Sequence, residues 1–500
     1  MRRVSDPGET RGGHSEVVVI GAGASGIGVA VRLLEAGVED FCVLEKADRL
    51  GGTWRDNTYP GCACDVPSLL YSYSFEPNPD WTRAFAGQEE ILDYLEGVAD
   101  RRDVRSRMRF ETEVLTARWD APETRWVLDT TSGPMTANVL VSASGPWHEP
   151  LIPEIDGLAS FPGDVFHSSR WDHDAELDGK RVAVVGTGAS AVQFVPAIQP
   201  QVERLDVFQR TAQWVLPKPD MGLPGPVRTL INTVPGASAF LKSLEYGAME
   251  TLGIGFRHPE MMRVVQQIGV AHLRLAVRDP ELRKTLTPSY TLGCKRTLMS
   301  NSYLQALTRP NVEVHPIALD HVDGSTLVGT DGREVEADVL VFGTGFHITD
   351  MPIAEKVRDA EGVTLVDRWE GHPQAYLGTS VAGFPNLFLL LGPNLGTGHS
   401  SAFAILEPQI AHVVEAITSM RDRGWSAVEV RRDAQDAFNA EVQGALPSTV
   451  YNAGGCNSYY FDVTGQNSFS WPWSTGELRR RVSHFDEAAY RVTESVPATA

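Results

Sequence analysis

Glu16-Val17-Val18-Val19-Ile20-Gly21-Ala22-Gly23-Ala24-Ser25-Gly26 is the stretch whose reading decides the fold. A short, mostly apolar strand (Glu16–Ile20) runs into a G-x-G-x-x-G turn, a helical segment (Ile27–Glu35) and a second strand, Phe41–Leu44. That context makes the glycine pattern a dinucleotide-binding turn. Gly21 permits the tight turn, Gly23 lets backbone approach a pyrophosphate, and Gly26 allows close helix–strand packing. Through Ala24 and Ser25 the turn opens a helix whose free N–H groups face the phosphates. Glu45 closes the second strand 19 residues after Gly26, where a carboxylate can accept from both ribose hydroxyls.

The pattern recurs. Arg181–Val185 is a strand, Gly186-Thr187-Gly188-Ala189-Ser190-Ala191 the turn, and Val192–Ile198 begins a helix that Pro196 shortens or bends. After the next strand, Leu205–Phe208, stand Gln209 and Arg210, where the first unit has its acid. A guanidinium there suits a 2′-phosphate that a carboxylate would repel. The first unit therefore reads as a site for FAD or NAD, the second as a site for NADP.

Asn138–Gly145 and Asp338–Gly345 are apolar strands ending in small residues, and each closes one unit. Arg109–Asp129 reads as a β-hairpin insertion turning near Asp120-Ala121-Pro122, and residues 221–285 carry helical spacing with little strand signal. The expected fold is α/β: two Rossmann-like dinucleotide-binding domains, for FAD and NADP, with a helical insertion. Residues 1–148 open the FAD domain, 149–217 open the NADP domain, 218–288 are the helical insertion, 289–343 complete the NADP domain, and 344–500 return to the FAD domain.

The chain has 500 residues and a formal net charge of −20, which argues against a nucleic-acid partner. Met1–Gly13 is polar, lacks an apolar run, and reads as a frayed start rather than a secretion signal. No run reaches the roughly 20 apolar residues of a membrane span, so a cytoplasmic location is expected. Five cysteines, Cys42, Cys62, Cys64, Cys294 and Cys456, are odd in number and lack C-x-x-C spacing. They argue against a disulfide framework, against structural zinc or any other metal site, and for a reducing compartment. A redox role for Cys62-x-Cys64 is disfavoured.

Three further motifs give the chain its character. Gly51-Gly52-Thr53-Trp54, Tyr59-Pro60-Gly61 and Asp65 bring flexible backbone and an aromatic wall next to the first unit. Phe161, Gly163, His167 and Trp171 fit F-x-G-x-x-x-H-x-x-x-W between the two units, and Gly293-Cys294-Lys295-Arg296 follows Leu286-Thr287-Pro288. Together these resemble the fingerprints of type I Baeyer–Villiger monooxygenases, over roughly residues 15–475. Residue 172 is Asp where many members have Pro, which bears on subgroup rather than chemistry.

The resemblance implies an NADPH- and O2-dependent flavoenzyme that inserts oxygen beside a ketone carbonyl, through a C4a-peroxyflavin, to give an ester or lactone. It implies that Arg296 reaches the flavin, Asp65 positions Arg296, and Lys295 contacts the NADP 2′-phosphate. It adds Gly52, Thr53, Trp54, Tyr71 and Val114 to the FAD-binding residues. Phe161 to Trp171 read as a linker label, with His167 structural or gating and Trp171 anchored by burial. His399, in Gly398-His399-Ser400-Ser401, reads as a local cap or turn contact, and the Gly455–Tyr460 loop as a cover for the substrate. An N- or S-oxygenating flavin monooxygenase and a non-oxygenating FAD-binding redox protein remain the alternatives.

Overall fold

The computed structural model describes residues 13–495, so most of the Met1–Gly13 segment lies outside the described residues. In chain order the first unit comprises strand β1 (His14–Ile20), helix α1 (Ala24–Glu35), β2 (Phe41–Leu44), β3 (Met108–Arg109), β4 (Val114–Asp120), β5 (Arg125–Thr130) and β6 (Met135–Ser142). Then follow β7 (Asp164–His167), β8 (Arg181–Val185), α2 (Ala189–Ile198), β9 (Arg204–Phe208), α3 (Ala237–Arg257), α4 (Pro259–Ala276), β10 (Val312–His315) and β11 (Val339–Phe342). The chain ends through β12 (Val357–Arg358), β13 (Leu387–Leu389) and α5 (Ala402–Arg423), followed by shorter elements.

These strands build two principal sheets. An 8-stranded sheet runs β12-β4-β5-β6-β1-β2-β3, with β13 also paired to β6. A 5-stranded sheet, β10-β9-β8-β11-β7, is parallel throughout. The first sheet is parallel around β1, where β2 and β6 flank it, and antiparallel in the β4-β5-β6 meander that turns after Asp120. Burial on both faces explains the unbroken apolar run of β1. Val17 and Val19 pack with Ile27 and Val31 of α1 and with Phe403 and Ile410 of α5. Val18 and Ile20 turn the other way, against Trp119 and Trp126 of the meander.

Between the halves of the second sheet the chain makes helices Gly225–Thr233, α3, α4 and Pro280–Thr285. The inner face of α4 is set by Met262, Gly269 and Leu273, and a methyl on Gly269 would sit 3.0 Å from the Trp214 ring. Trp214 is held in turn by its indole N–H, donated to the Tyr290 carbonyl at 2.7 Å. The insertion thus seats against the approach to Lys295 and Arg296.

Candidate active site

The two glycine turns are cradles that side chains would fill. Gly21 has φ +103°, and a Cβ there would meet the Ala143 carbonyl oxygen at 2.8 Å. On Gly26 it would lie 1.9 Å from the Gly21 oxygen, and on Gly52 3.0 Å from the Gly23 Cα. Helix α1 starts with no side-chain cap and no acid in its first turn, which leaves its N–H groups to an anion. The second turn repeats this design. Gly186 has φ +106° with the Gly343 oxygen 2.5 Å from its would-be Cβ, and α2 also begins uncapped and without an acid. Both cradles fit a dinucleotide pyrophosphate.

The ribose ends differ. Glu45 is buried; its carboxylate accepts from the Ala22 N–H at 2.9 Å and the Ala47 N–H at 3.0 Å, and pairs with Arg55 at 3.0 Å. It is therefore locked in place beside the turn. Arg210 is exposed at the end of β9, close enough to Lys295 to act on it electrostatically. Burial, then Arg210, pulls the Lys295 ammonium below its ordinary pKa. Among the described residues no ion pair engages either cation, and two such charges side by side have the chemistry to suit a doubly charged phosphate. Gln209 plays another part, donating its amide to the Thr285 carbonyl at 3.1 Å. Val114 is buried in the sheet core with Trp119 and Trp126.

Asp65 is the junction of the site. Its carboxylate stands 3.8 Å from Arg296 and 3.8 Å from Lys218, and it accepts from the Gln193 amide at 3.2 Å. Burial works against the Arg296 charge, but Asp65, together with Tyr459, Tyr460 and Cys64, overcomes it, and the guanidinium is held above its ordinary pKa. Gln193 was invisible in the sequence, a lone amide on the apolar helix α2. It accepts from the Tyr59 hydroxyl at 2.9 Å and donates to the Ala63 carbonyl at 2.9 Å. Gly61, at φ +81°, passes within 3.0 Å of the Gln193 carbonyl measured from its would-be Cβ. The Tyr59–Asp65 segment is thereby clasped to the first helix of the second unit. Trp54 donates its indole N–H to the Tyr71 hydroxyl at 3.0 Å, and Tyr71 meets Phe403 edge-on, making an aromatic wall below.

The linker motif is chiefly packing. Trp171 stacks edge-on against Phe166 and lies 5.3 Å from the Phe194 ring, and Phe161 is buried among Phe208 and Phe342. A Cβ on Gly163 would lie 1.9 Å from the Asp338 oxygen. His167 ends β7, in register with Phe342 of β11, so it sits on the edge of the second sheet rather than in open linker. Its Nδ1 accepts from the Ser169 N–H at 3.1 Å, and burial, then Arg170, pushes its pKa down to about 4. It is a neutral imidazole, unsuited to hold a proton in reserve.

Two expectations are overturned. His399 makes no local cap: its Nε2 lies 3.2 Å from Glu250 of α3, which accepts also from the Thr475 N–H. Burial raises the Glu250 pKa, and His399 with Thr475 overcomes it, down to about 2. Cys294 and Cys456 are joined in a disulfide, against the expectation that none forms. The partners are 162 residues apart and meet because Gly454 lets the backbone in, a would-be Cβ there falling 2.4 Å from the Cys294 Cβ. The bridge ties the Arg296 segment to the loop carrying Tyr459 and Tyr460, whose hydroxyls act electrostatically on Arg296. Cys62 and Cys64 are unpaired, and burial pushes both thiols up to about 12, away from thiolate chemistry. Asp206, Glu313 and His315 are a cluster of metal-ligand type among the described residues, but the Arg204 guanidinium already occupies both carboxylates.

Residues 18–224 match the family described as pyridine nucleotide-disulphide oxidoreductase. A Baeyer-Villiger monooxygenase of Streptomyces coelicolor is 48% identical over 97% of this chain and 94% of its own. The structure of cyclohexanone monooxygenase from a Rhodococcus species, bound to NADP+, is similar with a TM-score of 0.86 at 27% identity, covering 97% of this chain and 100% of that one. OTEMO, solved in complex with FAD and NADP, is similar with a TM-score of 0.86 at 27% identity, over 96% of this chain and 99% of that one.

Proposed function

The chain belongs to the Baeyer–Villiger monooxygenase family, and from that premise we propose how its residues carry out the reaction. It is an FAD-containing, NADPH-dependent enzyme. FAD, when bound, would supply the redox chemistry by which NADPH and O2 convert a ketone to an ester or lactone, one oxygen atom entering beside the carbonyl and the other leaving as water. The chain supplies binding, orientation and charge. Gly21, Gly23, Gly26 and the start of α1 hold the FAD pyrophosphate, with Glu45 at its ribose and Thr53, Trp54 and Tyr71 toward its ring. Gly186, Gly188 and the start of α2 hold the NADP pyrophosphate, while Arg210 and Lys295 grip the 2′-phosphate. Residues 1–148 and 344–500 serve the first nucleotide, 149–217 and 289–343 the second.

Arg296 is the catalytic residue. A guanidinium remains charged at any working pH, so it stabilises negative charge on a reacting oxygen without surrendering a proton to it. Asp65 is its positioning residue, and Lys218 and Gln193 fix Asp65. The observation that carries this reading is the Arg296–Asp65 pair at 3.8 Å, with Asp65 tied to Gln193 on the first helix of the second unit. Tyr459, Tyr460 and α3 border the substrate. No helix among the described residues is long and apolar enough to cross a membrane.

The test is a panel of linear, cyclic, aryl and steroid ketones, with a thioether and an amine alongside, scored for NADPH consumption and for ester. Ester from a ketone is expected. NADPH consumption that yields only hydrogen peroxide, whatever ketone is offered, sinks the reading. Arg296→Ala is expected to leave flavin reduction by NADPH intact and to lower ester formation by about 10²–10³-fold; ester at the normal yield removes Arg296 from the role.

A further inference from the structure

Helix α4 has an outer face that the fold does not explain. Its inner face, Met262, Gly269 and Leu273, packs against the molecule. On the opposite side Met261, Val264, Ile268, Ala271 and Leu275 are all exposed, Val264 at 71% and Leu275 at 81%. The steps between them are three, four, three and four residues, the seam that a helix offers to another helix. On the neighbouring α3, Phe240, Leu244 and Ile254 are exposed as well. A monomer leaves such a surface in water, where burial against a partner would be favourable.

The residues beside the seam select the partner. Glu260, Gln267 and Arg274 stand seven residues apart along one flank and are exposed. They read acid, neutral, base. A reversed copy of the same helix reads base, neutral, acid. Laid antiparallel about Gln267, two copies bring Glu260 of each against Arg274 of the other, with the glutamines facing across the axis, as a two-fold interface requires. Among the described residues no ion pair engages Arg274, and Glu260 meets only His258 at 3.7 Å. A bilayer is the poorer match: the stripe is narrow, Glu260 borders it, and a chain of net charge −20 is repelled by anionic lipid. One 18-residue helix falls short of the roughly 1,600 Å² a standard interface buries, and the exposed Phe240, Leu244 and Ile254 on the adjoining α3 offer further apolar surface.

We propose that the exposed seam of α4, flanked by α3, is the interface of a two-fold homodimer in which Glu260 and Arg274 pair between copies. The FAD-loaded full chain is therefore expected to sediment as two chains at micromolar concentration. Val264→Glu with Ile268→Glu is expected to give a single chain, weakening association by about two orders of magnitude, with NADPH oxidation within about twofold of the parent, since neither side chain faces the site. Arg274→Glu alone sets acid against acid and weakens the dimer; adding Glu260→Arg restores it. A parent protein that sediments as one chain overturns the proposal. So does a dimer that survives the double glutamate substitution, or a charge exchange that fails to rescue. Binding of the parent, but not of the glutamate variant, to vesicles of neutral and anionic phospholipid would show the seam to be a membrane face and also overturn it.

Discussion

The two nucleotide cradles share a backbone and differ in charge. Each has a left-handed first glycine pressed on a closing strand, and each feeds an uncapped helix. The first ends in Glu45, whose carboxylate is locked by two backbone N–H groups and Arg55. The second ends in Arg210 and Lys295; burial and then Arg210 pull the Lys295 ammonium below its ordinary pKa, and no ion pair engages either cation among the described residues. The third position of the turn differs too. Gly26 admits no side chain, while Ala191 stands at the equivalent place with its methyl buried. The geometry of both turns suits a pyrophosphate, and the charge at the end of the second strand is what sets them apart.

The sharpest way to break that symmetry is Gly26→Ala. The added methyl collides with the Gly21 carbonyl, so flavin content per chain is expected to fall by more than about tenfold, read from flavin absorbance. Ala191→Gly in the second turn is expected to leave the KM for NADPH within about twofold; equal damage from the two substitutions refutes the distinction. Next in size is Arg210→Ala. Losing one charge-assisted contact to the 2′-phosphate should raise the KM for NADPH by about 10–100-fold, with NADH turnover unchanged. A parallel loss with NADH places Arg210 elsewhere.

The smallest effect concerns pH. His167, on the edge of the second sheet, has its pKa lowered from 6.5 to about 4 by burial. The unfolded chain therefore binds a proton that the folded chain refuses. Stability is full above pH 6.5 and falls as pH drops toward 4, by no more than about 3 kcal/mol. His167→Gln is expected to flatten the melting temperature between these pH values. A slope identical to the parent's assigns the loss to other groups.

Local patterns made much of the fold legible. The strand Phe41–Leu44 and the helices after each glycine turn are written in neighbouring residues, where apolar period and turn chemistry speak directly. The β-hairpin was legible from its turn, although its first strand starts at Val114 rather than Arg109. Contacts that span the chain were not. Gln193 looks like any amide on a helix until α2 is laid across the Tyr59–Asp65 segment. Glu250 reaches His399 across 149 residues, and Cys294 finds Cys456 only because distant loops converge. Spacing along a chain carries no record of such meetings. The Arg296–Asp65 pair was anticipated through resemblance, not through any pattern that places an arginine beside an acid 231 residues away.

The Cys294–Cys456 bond also alters the chain's topology. It closes a covalent ring that contains β10 and β11 of the second sheet together with β12 and β13 of the first and helix α5. Neither sheet can disperse freely while the ring is intact. Closing a loop of 162 residues removes about 5 kcal/mol of denatured-state entropy on a chain-statistics estimate. A single backbone cut anywhere between the two cysteines leaves one molecule under oxidising conditions and two fragments once a thiol reductant is added.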